Sequence, residues 1–163
     1  MIAKLSGFKL SYLAFDPFVD EAVFNHYGVR PVALETLLGE SDTVSLHIPL
    51  KDDTFHLINA ERLAMMKEGA CLINTSRGGV IDEAALLEIL HRNRLGGGGL
   101  DVLENIPDNG KTPPVYEFNN VIVTPHNAGP TLESIPKRAA NAFKNIQRVM
   151  DGEAPLWAAK FGK

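Results

Sequence analysis

Short apolar runs alternate along this chain with segments in which apolar positions recur every three or four residues. The run at 70–74 is continuously apolar up to its last residue, which is typical of a strand covered on both faces. The pattern predicts extended segments at 10–15, 29–32, 43–46, 70–74, 98–101 and 121–123. It predicts helices over 20–27, 33–38, 60–67 and 83–93, with Asn59 and Asp82 as N-caps and Gly28, Gly39 and Gly69 at helix ends.

A longer amphipathic helix is predicted near the carboxyl end. Its apolar positions fall three and four residues apart, at Ile135, Ala139, Ala142, Phe143, Ile146, Val149 and Met150. We place its start near Ser134, because Pro136 is tolerated in the first turn of a helix but not deep inside one. Residues 105–119 contain three prolines, Gly110 and few apolar side chains, so they are predicted to form the one long loop.

Alternating strands and helices predict an α/β fold with three layers, in which helices cover both faces of a parallel sheet. Ligands on such sheets bind at the carboxyl ends of the strands. Polar or ionisable side chains follow five of the predicted strands, so we expect them to meet in one crevice: Asp16, His47, Asn74 with Thr75-Ser76-Arg77, Asp101, and Thr124-Pro125-His126.

Composition and charge exclude several classes of protein. The 163 residues suffice for one domain with a core, and 16 basic against 20 acidic residues give a net charge of −4, which argues against a nucleic-acid partner. Cys71 is the only cysteine, so no intrachain disulfide is possible. The chain has no apolar run long enough to span a membrane, and residues 1–9 lack the apolar stretch of a signal peptide. We therefore expect a cytoplasmic protein without a membrane partner.

Asp16 ends the first predicted strand and has two possible roles. An acid at such a position accepts hydrogen bonds from a ribose 2′-OH and repels a 2′-phosphate, whereas Asp-Pro is also a common turn pair. A dinucleotide site has a glycine-rich turn about 20 residues earlier, which here falls before Met1. The run Gly96-Gly97-Gly98-Gly99 is no substitute, since it precedes a strand, whereas a phosphate loop follows one.

Arg77 and His126 are candidates for chemistry. The guanidinium fork of Arg77, after a buried strand, suits a planar carboxylate, although a pairing with Asp82 or Glu83 that holds the loop is equally compatible. His126 follows a strand and can shuttle a proton near neutral pH, although a lone histidine is more often structural. The other histidines look like surface residues, and none of the five has zinc-motif spacing, so no metal site is predicted.

Five short sequence motifs occur in a fixed order and are spread over nearly the whole chain: Asp16-Pro17, Ser45-Leu46-His47-Ile48-Pro49-Leu50, Ile73 to Asp82, Leu100-Asp101-Val102, and Val123 to Gly129. They resemble the nucleotide-binding domain of the D-isomer-specific 2-hydroxyacid dehydrogenases. The resemblance implies NAD as cofactor, Arg77 as the carboxylate-binding residue and His126 as the acid/base. It also implies cofactor-binding roles for Asp16, His47, Pro49, Thr75, Ser76, Asp101 and Gly129.

Two departures from the family pattern affect what the resemblance implies. The family has a glutamate that supports its charged histidine, where this chain has Ile106; Glu104 is nearby but need not point the same way. The family also has a substrate domain, which we expect to be absent here. The resemblance thus implies an incomplete Rossmann-like, doubly wound parallel sheet over 1–150, without the first strand and glycine-rich loop, followed by a tail over 151–163.

Two functions stay open at this point. The chain is expected to be the NAD-dependent oxidoreductase part of an enzyme for a small 2-hydroxy or 2-keto acid, weak or inactive alone. Alternatively, it is a non-catalytic dinucleotide-sensing or dimerisation module of the corepressor type. The missing glutamate favours the second function, and the retained Arg77 and His126 favour the first. In either case the resemblance implies a homodimer.

Overall fold

The computed structural model describes residues 2–106 and 111–158, and the chain divides into two units, Met1–His126 and Asn127–Lys163. In the first unit, strands and short helices alternate in the order α1 Ile2–Leu5, β1 Tyr12–Ala14, α2 Glu21–His26, β2 Val29–Pro31, α3 Leu34–Glu40, β3 Thr43–Leu46, α4 Ala60–Met65, β4 Cys71–Asn74, α5 Glu83–His91, β5 Gly97–Leu100 and β6 Val121–Val123. Among the described residues, no helix is both long and apolar enough to cross a membrane.

The strands are all parallel and lie in two sheets. One sheet has the order β1-β2, and the other has the order β3-β4-β5-β6. From β1 the chain winds outward to β2, and from β3 it winds outward in sequence, so the winding direction reverses between β1 and β3. Such a reversal is the topological switch point at which doubly wound sheets bind ligands. The predicted incomplete α/β fold is confirmed.

The core lies on the four-stranded sheet and is made by alternate strand positions. Val44, Leu46, Leu72 and Leu100 are buried on the strands. Helices and connections cover them with buried side chains, namely Leu38, Ile58, Leu63, Val80, Leu86 and Leu90. This packing fixes the positions of the strand ends, because a one-residue slip in register would turn every buried side chain to the other face.

Helix boundaries follow the local sequence signals with two exceptions, the first of which is that α4 ends at Met65 and not at the predicted Gly69. The side chain of Asn59 accepts a hydrogen bond from the backbone N–H of Arg62, and that of Asp82 accepts one from Ala85 at 3.0 Å, so both predicted N-caps are confirmed. Gly39 was predicted to end a helix, but α3 continues through it to Glu40. The prediction was wrong because Gly39 does not take the left-handed conformation of a C-cap glycine.

The predicted long loop over 105–119 contains ordered structure. A turn of 3₁₀ helix spans Pro114–Glu117, and Val115 within it is fully buried. This segment therefore belongs to the core rather than to a simple loop, although residues 107–110 of the predicted loop lie outside the described part. Val115 in the core and Phe118 packed against it hold this connection in place.

The second unit is built around the predicted amphipathic helix, α6 Ser134–Met150, with Pro136 in its first turn. The residues that follow α6 fold back on it. The side-chain amide of Asn145 donates to the Leu156 carbonyl at 2.9 Å and accepts from the Leu156 N–H at 2.8 Å. Arg148 adds a hydrogen bond to the Ala154 carbonyl at 2.9 Å. The chain divides into units after His126, so the predicted boundary between 1–150 and 151–163 stays a prediction.

The glycine run forms β5 instead of preceding it, which corrects the sequence-based expectation. A Cβ atom on Gly97 would lie 2.6 Å from the Asn120 carbonyl oxygen, closer than van der Waals contact permits. On Gly99 a Cβ atom would meet Ile73 at an ordinary 3.7 Å. The close packing of Gly97 against the Asn120 backbone, rather than phosphate binding, therefore explains why position 97 is a glycine.

Gly97→Ala is expected to destabilise the protein by about 1–3 kcal/mol, because backbone must move to admit the methyl group. The matched variant Gly99→Ala is expected to leave the free energy of unfolding unchanged or slightly raised, since alanine restricts the unfolded chain and finds room here. Urea denaturation monitored by circular dichroism measures both. Equal midpoints for the two variants would contradict this account of β5.

Candidate functional site

The predicted site residues lie where the sheet strands end. Asp16 follows β1 by two positions, while His47, Thr75 and Asp101 come directly after β3, β4 and β5. His126 lies three residues beyond β6. Because the strands are parallel, these positions share the carboxyl edge of the sheets, as the sequence predicted.

The turn after β4 is organised by Asn74, whose side chain is 1% exposed. Its Oδ1 accepts hydrogen bonds from the backbone N–H of Ser76 at 3.0 Å and from the Ser76 hydroxyl at 2.8 Å. Its Nδ2 donates to the Arg77 carbonyl at 2.9 Å, and its own carbonyl accepts from the Asp101 N–H at 2.9 Å. Asn74 thus fixes the turn and joins it to β5. The sequence indicates Asn74 as a polar residue at a strand end, but this role depends on contacts that the sequence does not reveal.

Arg77 lies at the end of this turn, and its position depends on its neighbour. A Cβ atom on Gly78 would lie 2.1 Å from the Leu103 carbonyl oxygen, so the chain after Arg77 packs directly against the segment after β5. The Arg77 side chain donates from Nη1 to the Ser76 carbonyl at 2.7 Å.

The alternative of a loop-holding ion pair at Arg77 does not occur. Asp82 caps α5 through the Ala85 N–H, and Glu83 accepts hydrogen bonds from the N–H groups of Glu104 and Asn105. Within residues 2–106 and 111–158, Arg77 forms no ion pair. Since both nearby carboxylates have other partners, no carboxylate of the described residues neutralises the charge of Arg77.

A cavity of about 440 Å³ gathers five of the predicted site residues. It is lined by His47, Pro49, Thr75, Ser76 and Arg77. His47 is oriented by a 2.9 Å hydrogen bond between its Nε2 and the Ser45 hydroxyl. The buried hydroxyl of Ser76 donates its hydrogen bond to Asn74 within the turn. The cavity therefore presents a cationic fork, an imidazole and a threonine hydroxyl to one volume.

Asp16 serves in the turn after β1 and still presents a carboxylate. Its Oδ1 accepts from the Phe18 N–H at 2.9 Å, so the turn interpretation of Asp-Pro is confirmed. The residue is exposed, and with His47 it lines a second, mostly apolar cavity of about 700 Å³. A carboxylate has lone pairs on two oxygens, so the turn bond leaves capacity for a ligand hydroxyl.

Asp101 and His126 belong to the last two strand ends. Asp101 is 4% exposed, and its Oδ1 accepts a 2.5 Å hydrogen bond from the Thr124 hydroxyl. Two residues later, the His126 N–H donates to the Thr124 carbonyl at 2.9 Å, and His126 takes a left-handed backbone with φ 52°. Such conformations are costly for non-glycine residues and concentrate at functional sites. The imidazole of His126 is exposed.

An ion pair between Glu104 and His56, beside the turn that carries Arg77, was not predicted from the sequence. Glu104 Oε1 pairs with His56 Nε2 at 2.7 Å, and the Phe55 ring stacks on that imidazole with ring centroids 3.9 Å apart. His56 is therefore a half-buried partner and not the surface residue expected from sequence. Glu104 is engaged with His56, and Ile106, at the family's glutamate position, is 72% exposed. No sequence signal links positions 48 residues apart.

Three further candidates are Gly129, a metal-binding cluster and the thiol of Cys71. Gly129 belongs to the second unit, so its cofactor role stays a prediction. Over the described ranges, no three His, Cys, Asp or Glu side chains come together closely enough to hold a metal ion. The free thiol of Cys71, half-buried at the start of β4, lies at the opposite end of that strand from the site.

Comparisons with known proteins agree with this geometry. The chain is 45% identical over 161 residues to the glyoxylate reductase of Thermofilum pendens, covering 93% of this chain and 45% of that protein. It is 36% identical to the D-lactate dehydrogenase of Escherichia coli, covering 94% and 50%. The solved D-lactate dehydrogenase with NAD+ from Lactobacillus jensenii superimposes with a TM-score of 0.84 at 30% identity, over 97% of this chain and 51% of that one.

The family model for the D-isomer specific 2-hydroxyacid dehydrogenase, NAD binding domain, matches residues 1–128. The chain spans about half the length of these relatives. The cofactor of the matched domain is NAD, as the sequence implied. On the strand order, the residues at the carboxyl edge and these matches, the chain belongs to the D-isomer-specific 2-hydroxyacid dehydrogenase family through its NAD-binding domain.

Proposed function

We propose that this chain forms the cofactor side of the active site of an oxidoreductase that interconverts a 2-keto acid and a D-2-hydroxy acid. The observation that carries the proposal is the guanidinium of Arg77, which lines the 440 Å³ cavity without a carboxylate partner in the described structure. Arg77 is exposed at this cavity, so its guanidinium can reach a ligand, and its planar fork suits a substrate carboxylate. The non-catalytic alternative gives Arg77 no such partner.

The residues present fit two ends of NAD. Asp16 retains an acceptor oxygen for the ribose hydroxyls, and Thr75 with Asp101 lies across the sheet where the nicotinamide end would reach. The described residues contain no glycine-rich turn that follows a strand and opens a helix, so the pyrophosphate has no loop of amides here. The described residues therefore offer contacts to the adenosine-ribose end and the nicotinamide end of NAD, but not to its pyrophosphate.

Bound reduced NAD supplies a hydride to the carbonyl carbon of the substrate. Arg77 holds the substrate carboxylate through a bidentate contact and orients the carbonyl. His126, in its charged form, donates a proton to the developing alkoxide oxygen, and in the reverse direction it accepts that proton. Glu104 pairs with His56, so it is not available to support the charge on His126.

This incomplete set of cofactor contacts predicts that the isolated chain binds NAD weakly. Each neutral hydrogen bond contributes about 0.5–1.5 kcal/mol net, whereas association costs at least about 4 kcal/mol. Without pyrophosphate contacts, we expect NAD to bind no more tightly than roughly millimolar. We also propose that the working protein is a homodimer, which the family likeness supports, and that it is cytoplasmic, which fits a chain whose single cysteine cannot form an intrachain disulfide.

The catalytic proposal is tested in a hybrid in which this chain replaces the matching half of the Thermofilum pendens glyoxylate reductase. Arg77→Met is expected to lower kcat/KM for glyoxylate by about 10²–10⁴-fold, because a bidentate charged contact contributes about 3–5 kcal/mol. His126→Ala is expected to lower kcat with little change in KM. Steady-state NADH oxidation measures both effects.

The control for this experiment is Arg92→Met, which removes the same charge next to the exposed end of α5, where Arg92 pairs with Glu88. It should match the unmodified hybrid. Full activity in Arg77→Met, in a hybrid that is itself active, would contradict the carboxylate-binding role.

Asp16 is expected to make the hybrid prefer NADH over NADPH. Asp16→Asn keeps an oxygen for the Phe18 N–H but removes the charge that repels a 2′-phosphate, so the ratio of the two kcat/KM values should narrow by about tenfold. Asp20→Asn, in the same segment and without a side-chain capping bond, is the matched control. An unchanged ratio in Asp16→Asn would exclude the ribose role.

A further inference from the structure

Three chain segments meet around the turn that carries Arg77, namely the connections after β3, β4 and β5. From the connection after β3, the His56 N–H donates to the Gly79 carbonyl at 2.8 Å. From the connection after β5, the Leu103 backbone packs on Gly78, where a Cβ atom would lie 2.1 Å from the Leu103 carbonyl oxygen. The two residues that directly follow Arg77 are therefore held by two segments that are distant in sequence.

His56 joins the two outer segments to each other. Its Nε2 lies 2.7 Å from Oε1 of Glu104, in the connection after β5, and the Phe55 ring stacks on its imidazole. The His56 backbone is left-handed, with φ 48°, a conformation that costs a non-glycine residue free energy and persists where the surroundings hold it. His56 thus contacts the Arg77 turn through its main chain and Glu104 through its side chain.

Glu104 is itself held by the first residue of helix α5. The Glu104 N–H donates to Oε2 of Glu83 at 2.8 Å, and the Asn105 N–H donates to the same oxygen at 3.1 Å. In return, Oε2 of Glu104 accepts from the Glu83 N–H at 3.4 Å. Glu83 is only 5% exposed, so close packing restricts its side chain. The ion pair therefore ties His56 to a segment whose position is set by the core.

Arg77 depends on the backbone of its turn for its position. In the described part of the chain its side chain forms no ion pair, and its Nη1 donates to the carbonyl of the preceding residue, Ser76. Before Arg77, the amide of Asn74 fixes the turn through the Arg77 carbonyl. After Arg77, the contacts of His56 and Leu103 hold the turn. A displacement of about 1 Å in a substrate-positioning group is enough to lower a rate about 10²-fold.

We propose that the His56–Glu104 ion pair is a positioning pair for Arg77. By tying the connection after β3 to the connection after β5, the pair closes a ring of contacts around the Arg77 turn and keeps the guanidinium at the 440 Å³ cavity. His56 and Glu104, both within the described structure, are not among the residues that line this cavity, so they act through the turn and not on a ligand. The inference rests on the proposed function for what Arg77 binds, but closure of the turn needs no ligand.

The first test is amide hydrogen exchange, measured by NMR on the 163-residue chain without ligand. The Val80 and Ile81 amides donate to carbonyls within the Arg77 turn, at 3.3 and 3.0 Å, so both report on its opening. The Cys71 amide donates to the Asp42 carbonyl at 2.9 Å, at the opposite end of β4. It therefore reports on the stability of the sheet and serves as the internal control.

Four variants of the pair are compared in this test. Glu104→Ala removes the partner of His56 and is expected to speed exchange of the two turn amides about tenfold, with the Cys71 amide unchanged. His56→Asn lacks the imidazole but keeps a residue that tolerates the left-handed backbone, and it should have the same effect. Because both residues act through one contact, the double variant should exchange no faster than either single variant. Glu104→Gln keeps an oxygen for the His56 Nε2–H and should exchange within about twofold of the unmodified chain.

Glu88→Ala is the matched control for Glu104→Ala. It removes the same charge from α5, where Glu88 is exposed and pairs with Arg92. Both the turn amides and the Cys71 amide should exchange as in the unmodified chain.

The second test connects the position of Arg77 with ligand binding. Oxalate, a planar dicarboxylate, is titrated into the chain while the Arg77 Nε–H signal is followed, and Arg77→Met assigns that signal. The dissociation constant for oxalate should rise about fivefold in Glu104→Ala, because a displaced fork loses its bidentate contact, and return to within about twofold in Glu104→Gln. A defect that only lowered the free energy of unfolding would leave this constant unchanged.

The remaining outcomes overturn the inference. Unchanged exchange of the turn amides in Glu104→Ala and His56→Asn would show that the pair does not hold the turn. Equal acceleration at Cys71 would mean a general loss of stability, and additive effects in the double variant would mean that the two residues act separately. An unchanged oxalate constant with faster turn exchange would show that the turn opens without moving Arg77.

Failure of the proposed function has a different signature. If oxalate does not shift the Arg77 signal in the unmodified chain, the carboxylate-binding role is contradicted, and the exchange of the turn amides alone then decides the positioning role.

Discussion

The side-chain amide of Asn74 is the constraint on which the candidate site depends. It is buried at the end of the central strand pair, and all its bonds are directed to the turn that carries Ser76 and Arg77. A buried amide left unsatisfied costs about 1–3 kcal/mol, so the turn has one favoured conformation. Gly78 reinforces it by bringing the chain against Leu103. Arg77 is consequently held in place by groups that perform no chemistry.

The second constraint is the break between the two sheets. Parallel pairing aligns the strand ends along one edge, and the winding reverses where β1 and β3 face each other. The proposed contacts to a dinucleotide lie on both sides of this break, Asp16 on one and Thr75 with Asp101 on the other. Residues of β1 and β3 line one cavity between these two sides.

Local signals in the sequence predicted most of the fold. The caps Asn59 and Asp82 act within three residues of themselves, so their hydrogen bonds could be predicted from sequence alone. Contacts between distant segments could not. The His56–Glu104 pair depends on two connections meeting, and the glycine at 97 depends on the approach of Asn120. Whether Arg77 paired with Asp82 or Glu83 was open for the same reason, since both carboxylates have partners that only the fold reveals.

NAD is proposed to bind along the carboxyl edge of the parallel strands. The most direct test is titration of the ¹⁵N-labelled chain with NAD to roughly 10 mM, above the expected dissociation constant. We expect the largest amide shift changes at Asp16, His47 and Thr75. Changes centred on Gly96 and Asn120, which precede β5 and β6 at the opposite edge, or no changes at all, would contradict the account.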